Sequence, residues 1–280
     1  STGNPCPDLH GERRPGDNLY TNSVLALEPA TGTLDWYFQF TPHDTHDWDA
    51  QEPLLLIDEV FQGRPRKLLV QGNRNGFFYV LDRITGQFLL GEPFVNQTWA
   101  DGMDDSGRPV VRPGTDPTDT GSDVCPAIRG ATNWWATSYH PGTKLFYLLA
   151  HESCMTYTKN DQDWQRGRSW LGGSVRLAEG SPNQKFIRAI DIQTGDVAWS
   201  YAQTGKAQTY SGVLSTAGDL VFFGEDSGAF AALDARTGEP LWHFQANQDW
   251  KASPMTYMVG GRQYVAIASG MGFWAFALPE

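Results

Sequence analysis

Cysteine is scarce in this chain, with three in 280 residues, and no two stand in a Cys-x-x-Cys pair. That excludes a zinc ribbon, a thioredoxin-like redox motif and covalent c-type haem attachment. Charge is thin as well, at 19% of residues, and it leans acidic, with a net charge of −11 and a pI near 4.9. Phosphate binding needs a basic surface. Arg13-Arg14 and Arg64-Pro65-Arg66-Lys67 are short and read as solvated loop charges. No nucleic-acid partner is expected. No apolar run approaches the ~20 residues of a membrane-spanning helix, so no transmembrane segment is expected either.

What is abundant points one way. Aromatics make up 13% of residues, and there are 30 Gly, 17 Pro and 11 Trp. That mixture favours many short strands joined by tight turns over amphipathic helices. Length alone allows one large all-β domain or two ordinary ones.

An internal repeat narrows the choice. Ala26 to Trp36, Ala189 to Trp199 and Ala232 to Trp242 share the pattern Ala-x-Asp/Glu-x-x-Thr-Gly-x-x-x-Trp, and Val80 to Gly86 is a fourth copy without the Trp. Each copy reads as strand, turn, strand, with glycine at the positive-φ position and Trp covering a neighbouring sheet. A second hairpin precedes two copies, Leu68 to Tyr79 turning at Asn75-Gly76 and Leu220 to Ala231 turning at Ser227-Gly228. Adding a first strand, Leu54 to Ile57 or Ser211 to Ser215, gives four antiparallel strands per unit. The fold class is therefore all-β, a β-propeller of four-stranded blades.

The Thr-Gly pairs fall at intervals of 54, 109 and 43 residues. The long interval holds segments 95–132 and 153–185, so it is either one blade with two insertions or a hidden degenerate blade. One further hairpin is evident there, Trp134 to Leu149 turning at Pro141-Gly142-Thr143, which favours a single blade. The chain opens part-way through a blade, at Asn22 to Leu27, and closes with three strands, Met255 to Val259, Gln263 to Ala268 and Gly272 to Leu278. Residues 1–280 thus read as one partial propeller domain of about four blades, the C-terminal part of a longer ring.

Candidate chemistry gathers in Thr41-Pro42-His43-Asp44-Thr45-His46-Asp47-Trp48-Asp49, three aspartates and two histidines between two strand-like runs. Such a cluster is a metal or proton-transfer site or a rigidified loop. Blade geometry puts this link, the Arg74 turn, Asn4, Asn133 and Tyr210 on the face opposite the Thr-Gly turns. Asp47 and Asp49 on a pleated strand would point to opposite sides, but a loop can turn both toward one cation. With the Asn4 amide oxygen they form a hard oxygen set suited to calcium or a larger trivalent ion. Arg74 beside them could hold a carboxylate ionised and donate to a developing oxyanion. The plainer readings stand alongside: Asn4 caps a turn, Arg74 pairs with a surface acid, and the histidines hydrogen-bond within the loop.

Taken in order, Gly3-Asn4-Pro5, Arg14-Pro15-Gly16-Asp17-Asn18, Thr41-Pro42-His43-Asp44 with Asp47, and Asn73-Arg74-Asn75-Gly76, together with the Thr-Gly-Trp repeats, resemble the pyrroloquinoline-quinone (PQQ)-dependent alcohol dehydrogenases. The resemblance runs from residue 1 to Phe276-Ala277-Leu278-Pro279-Glu280. It implies an eight-bladed parent with the quinone near its axis, and Asn4, Asp47 and Asp49 as metal ligands. Asp49 matches the extra aspartate of lanthanide-using members; the remaining choice of cation is calcium. Asp47 would be the base that takes the proton of a small primary alcohol, Arg74 a contact to the quinone and to Asp47, and Asn133 and Tyr210 further quinone contacts. Tyr210-Ser211-Gly212 departs from the Trp-Gly-Gly often found there. Cys125 and Cys154 would form a disulfide, leaving Cys6 free, and the location would be periplasmic. Hydride would pass from substrate to quinone, and electrons onward to a cytochrome c-type acceptor.

The family's N-terminal half supplies a metal-binding glutamate, a vicinal cysteine pair and the tryptophan under the quinone, none of which is in this sequence. By itself the chain is expected to be inactive, with the missing half of the propeller as its partner. Two other readings remain open: a non-catalytic propeller scaffold that binds a protein, and a quinoprotein for sugars.

Overall fold

Each copy of the repeat closes on itself within six residues. Glu28 N–H donates to Thr33 O and Gly32 N–H to Glu28 O, and the pairs repeat at Asp82, Asp191 and Asp234, all at 2.8–2.9 Å. The acid caps each turn from inside: Asp82 Oδ1 accepts from Ile84 and Thr85 N–H, Asp234 Oδ1 from Arg236 and Thr237, Asp191 Oδ1 from Gln193, and Glu28 Oε1 from Ala30. Gly32, Gly86, Gly195 and Gly238 take φ between +72° and +79°, where a side chain is disfavoured. Just before each turn the strand register slips by one residue.

The computed structural model describes residues 1–205, 209–246 and 248–278, so the closing Pro279-Glu280 of the resemblance lie outside it. Its described residues hold one short 3-10 turn, Gly11–Arg13, and otherwise strands. The chain divides into two compact units, residues 1–133 with 151–184, and residues 134–150 with 185 onward.

In the first unit β1 (Ser23–Leu27) pairs with β2 (Leu34–Gln39), and a four-stranded antiparallel sheet follows: β3 (Leu55–Phe61), β4 (Arg64–Gly72), β5 (Phe77–Asp82) and β6 (Phe88–Pro93). A hairpin, β7 (Ala100–Met103) and β8 (Pro109–Val111), leads to β9 (Ser122–Val124). In the second unit β10 (Ser138–His140) and β11 (Leu145–Glu152) open a sheet that resumes only after an excursion through β12 (Met155–Lys159) and β13 (Gly173–Leu177). The sheet is completed by β14 (Gln184–Asp191) and β15 (Val197–Ala202). The next sheet is β16 (Val213–Thr216), β17 (Leu220–Gly224), β18 (Ala229–Asp234) and β19 (Pro240–Gln245). A three-stranded sheet ends the series: β20 (Met255–Val259), β21 (Arg262–Ser269) and β22 (Gly272–Phe276).

The 109-residue interval thus holds one four-stranded sheet. Its two insertions form a sheet of their own, in which β12 pairs with both β13 and β9, and the Cys125–Cys154 disulfide ties them together.

Burial follows strand position. Leu68–Gln71 of β4, Phe77–Leu81 of β5 and Leu145–Ala150 of β11 are buried continuously, whereas β3 alternates. A strand covered on both faces reads as an unbroken apolar run, and one covered on a single face alternates. The repeat tryptophans form the joints between sheets. A Cβ built on Gly86 would lie 2.6 Å from the Trp36 ring, and one on Gly238 2.5 Å from Trp199. Trp199 Nε1 also donates to Ala235 O at 3.1 Å. Each ring therefore lies flat on the glycine turn of the following sheet.

Gly238→Ala is expected to cost about 1–3 kcal/mol, through positive φ and displacement of the ring. Trp199→Ala is expected to cost about 3–5 kcal/mol. The double variant should lose less than the sum, since both act through one contact. Urea denaturation reads all three, and an unaffected Gly238→Ala would mean that ring-on-turn packing does not hold the joint.

Candidate active site

The loop between β2 and β3 is shaped from within by Asp44. Its buried carboxylate accepts His46 N–H at 2.9 Å, Trp48 N–H at 2.8 Å and Asn22 Nδ2 at 3.0 Å. Trp48 is fully buried; it stacks on His46 at 4.3 Å, packs against Trp99 and donates from Nε1 to Ala127 O. These anchors leave Asp47 in the left-handed region at φ +62°, where the alternation of a pleated strand is broken. Asp47 and Asp49 consequently reach the same group. Arg74 Nη1 donates to Asp49 Oδ2 at 2.7 Å, and Nη2 lies 3.8 Å from Asp47 Oδ2.

Arg74 is held as firmly as the acids. It sits in the turn between β4 and β5, where Asn73 Oδ1 accepts Asn75 N–H, Asn75 Oδ1 accepts Phe77 N–H and Gly76 takes φ +97°. Its Nη2 donates to Ile128 O, and Ala131 N–H donates to Arg74 O. A Cβ on Gly130 would come within 2.5 Å of Arg74 Cβ, so only glycine fits beside it. The Nε–H is buried with no hydrogen-bond partner among the described residues, a donor suited to an acceptor on a bound molecule.

Asn4 joins from the N-terminal segment. Its backbone N–H donates to Asp49 Oδ1 at 2.8 Å, and Gly3 lies so close that a Cβ would be 2.6 Å from that oxygen. Arg14 clamps this segment to the aspartate loop. Its Nε donates to Pro7 O at 2.9 Å, Nη1 to Asn18 Oδ1 at 2.6 Å, and Nη2 to Asp8 O at 2.8 Å and to Asp44 O. Arg14, read above as a solvated loop charge as well as part of a motif, is instead a strut between the two loops, its guanidinium taken up by protein oxygens.

Burial sets the electrostatics. Desolvation pushes the Asp47 carboxyl up to about 7; Asp49, Asp8 and Asp44 add to the rise, and Arg74 opposes it. Such a group is poised to take a proton near neutral pH. Glu52, which the motifs did not mark, is also buried, and desolvation raises it well above the carboxylate range. Neither of its oxygens has a hydrogen bond of good geometry among the described residues, so the charged form is disfavoured there. A charged residue beside Pro53 at the head of an apolar run was the available signal.

The histidines do not serve this group. His43 Nδ1 pairs with Gly16 O at 2.7 Å and His46 Nε2 with Thr115 O at 2.9 Å, and burial pushes the His46 imidazole down. Asn133 follows the Gly130 loop and donates from Nδ2 to Arg129 O at 2.9 Å. Tyr210 belongs to the second unit, where its ring stacks on Trp135 at 5.2 Å and Lys185 Nζ lies 4.3 Å from its centroid.

The set suits a hard cation, though it is not a complete cage. Among the described residues no three His, Cys, Asp or Glu side chains converge on a metal position. Two carboxylates and one amide oxygen would need further oxygen ligands to reach the coordination number of calcium or a larger ion. A cavity of about 680 Å³ between β6 and the β7–β8 hairpin, lined by Phe88, Leu90, Met103 and Arg112 among others, shares no residue with this cluster. The chemistry, rather than the volume, marks the site.

Comparison with known proteins agrees with the fold and the motifs. A family described as PQQ: glucose/ethanol/alcohol dehydrogenase, beta-propeller domain, matches residues 1–102 and 202–265. The quinoprotein alcohol dehydrogenase PedH of Pseudomonas putida is 39% identical over 289 residues, covering 99% of this chain and 47% of that protein. The lanthanide-dependent methanol dehydrogenase of Methylorubrum extorquens is 36% identical, covering 98% and 48%. Among solved structures, a europium-containing methanol dehydrogenase superposes with a TM-score of 0.89 at 32% identity, covering 97% of this chain and 48% of that one. The quinohemoprotein alcohol dehydrogenase of Comamonas testosteroni gives 0.87 at 35%, covering 97% and 42%. The chain spans about half the length, or somewhat less, of the relatives it matches.

The raised carboxyl of Asp47 sets a pH dependence. A group whose folded pKa lies above its unfolded value adds stability that is full below about pH 4 and is lost as pH rises through about 7. In chelator-treated protein, Asp47→Asn should match the parent at pH 4 and exceed it by on the order of 2 kcal/mol at pH 8. Denaturant titrations at the two pH values check this, and a pH-independent difference would show that Asp47 is not desolvated.

Proposed function

The chain belongs to the PQQ-type glucose/ethanol/alcohol dehydrogenase β-propeller family, and we propose that it forms the C-terminal part of an enzyme that oxidises a primary alcohol to an aldehyde. The observation that carries this reading is the convergence of Asp47 and Asp49 on one Arg74 guanidinium, with Asn4 bonded to Asp49. A scaffold would not need two half-buried acids converging on one guanidinium.

In this reading Asn4 Oδ1, Asp47 and Asp49 would hold the cation, a lanthanide or calcium, and the unpartnered Arg74 Nε–H would be a donor to the cofactor. When bound, PQQ supplies the hydride acceptor and the metal ion the Lewis acid. Asp47 takes the hydroxyl proton, for which a carboxyl near 7 is well matched. Arg74 holds Asp49 by a direct bond and limits the rise at Asp47. By the family resemblance Asn133 would be a further contact to the quinone; the Tyr210 ring in the second unit has one face taken by Trp135. Trp48 and its aromatic neighbours keep water out from beneath the loop.

The remaining blades come from sequence outside this chain, which by itself is inactive. The acceptor is a cytochrome c-type protein, and the Cys125–Cys154 disulfide fits an oxidising compartment, the periplasm.

The test is alcohol oxidation by the intact native polypeptide with PQQ, using an artificial electron acceptor and either lanthanum or calcium. Asp47→Asn should lower kcat by about 10²–10⁴-fold, and Asp49→Ala should abolish the lanthanum-supported rate first. Full activity in Asp47→Asn would remove the base from this reading. A preference for sugars over a broad alcohol panel would change the substrate class.

A further inference from the structure

A chain of buried amides runs from the turn that carries Arg74 to the loop that carries the acids. Gln71, on β4, donates from Nε2 to Glu52 O at 2.9 Å and to Ala50 O at 3.4 Å, where the aspartate loop ends. Its Oε1 accepts Asn73 Nδ2 at 3.2 Å, and Asn73 Oδ1 accepts the Asn75 N–H at 3.1 Å. Asn75 Nδ2 in turn donates to Thr41 Oγ1 at 3.1 Å and to Phe40 O at 3.3 Å, where the same loop begins. Gln71, Asn73 and Asn75 are fully buried. Each amide of the Gln71–Asn73 pair can face only one way, because a backbone N–H at one end demands an oxygen and two carbonyls at the other demand an NH₂ group.

The blade itself does not ask for this side chain. In the second unit the hairpin of the same pattern, β17 and β18, sets Phe223 where Gln71 stands, counting back from the turn glycines Gly228 and Gly76. Phe223 is as buried as Gln71, so a blade accepts an apolar residue at this position. Nor does Arg74 fix the loop by itself. Its Nη2 is 3.8 Å from Asp47 Oδ2, beyond hydrogen-bond reach, so the place of Asp47 is set by where the two ends of its loop are tied.

Resting on the reading of Asp47 as base and cation ligand, we propose that Gln71 is a positioning residue that ties the end of the aspartate loop to the Arg74 turn, and so sets the carboxylates of Asp47 and Asp49 for proton transfer and for the cation. Asn75 ties the beginning, so the loop is held at both ends by residues that flank Arg74. Misplacing a reacting group by about 1 Å costs on the order of 10²-fold in rate, and partners that orient metal ligands typically account for about 10–100-fold of affinity.

The test uses the intact native polypeptide, with turnover of a primary alcohol and, separately, terbium binding read by luminescence sensitised through tryptophan. Gln71→Met keeps the shape and removes the donor. It should lower kcat about 10–100-fold with little change in KM, and weaken terbium binding by a similar factor. In an Asp47→Asn background the same change should add less than about twofold to the loss of kcat, since the base it places is gone. Asn73→Ser, which still offers an acceptor to the Asn75 N–H but releases Gln71, should give a smaller loss of both kinds, and it carries the test should Gln71→Met fail to fold. Unchanged kcat and terbium affinity in a folded variant, or a kcat loss undiminished in the Asp47→Asn background, would overturn the proposal and leave the proposed function intact. A fall in melting temperature alone would also overturn it, as a purely structural role. Full activity in Asp47→Asn would instead remove the base reading, and terbium affinity in Gln71→Met would then uphold or overturn the placement of the cation ligands.

Discussion

The candidate site depends on one buried guanidinium. Arg74 carries a positive charge into a pocket that would otherwise hold mutually repelling carboxylates, and it is fixed by a glycine-backed turn on one side and the Ile128 carbonyl on the other. Two acids one residue apart can share it because Asp44 and Trp48 force Asp47 into a left-handed conformation. Without that loop geometry one carboxylate would face away. The charge at Arg74, the strain at Asp47 and the capping at Asp44 form a single mechanical unit.

That unit is supported from two directions. Arg14 binds the Asn4–Asp8 segment to the aspartate loop through backbone carbonyls, so the amide and the carboxylates share one frame. The insertions brace the other side: the disulfide ties the segment that presents Ile128 and Gly130 to Arg74 onto the Cys154 segment, and Trp48 reaches Ala127 O in the same stretch. Material that looks like decoration on a blade is therefore part of the wall of the site. The repeat turns have a separate duty, setting one sheet on the next through a ring on a glycine.

Much of this was legible. The Thr-Gly repeat announced the hairpins because its hydrogen bonds close within six residues and need no distant partner. The hairpins Leu68 to Tyr79 and Trp134 to Leu149 were marked by their apolar runs and turn residues. Asn4, Asp47, Asp49 and Arg74 could be gathered because blade topology places links and turns on a common side. Strand bounds moved by up to four residues: β3 begins at Leu55 and runs on to Phe61, past the expected Ile57. Glu52 and the strut role of Arg14 were not legible, since the first depends on burial and the second on a carbonyl 30 residues away.

The sequence by itself determined the all-β class, the blade repeat and the residue types available for chemistry, because these rest on local periodicity and on turns that satisfy themselves. Only the tertiary structure decided which acids share Arg74, which histidines are occupied by carbonyls, and why Asp47 titrates near neutrality. The reason is physical. Turn geometry is a property of neighbours along the chain, whereas desolvation and Coulomb interaction are properties of neighbours in space.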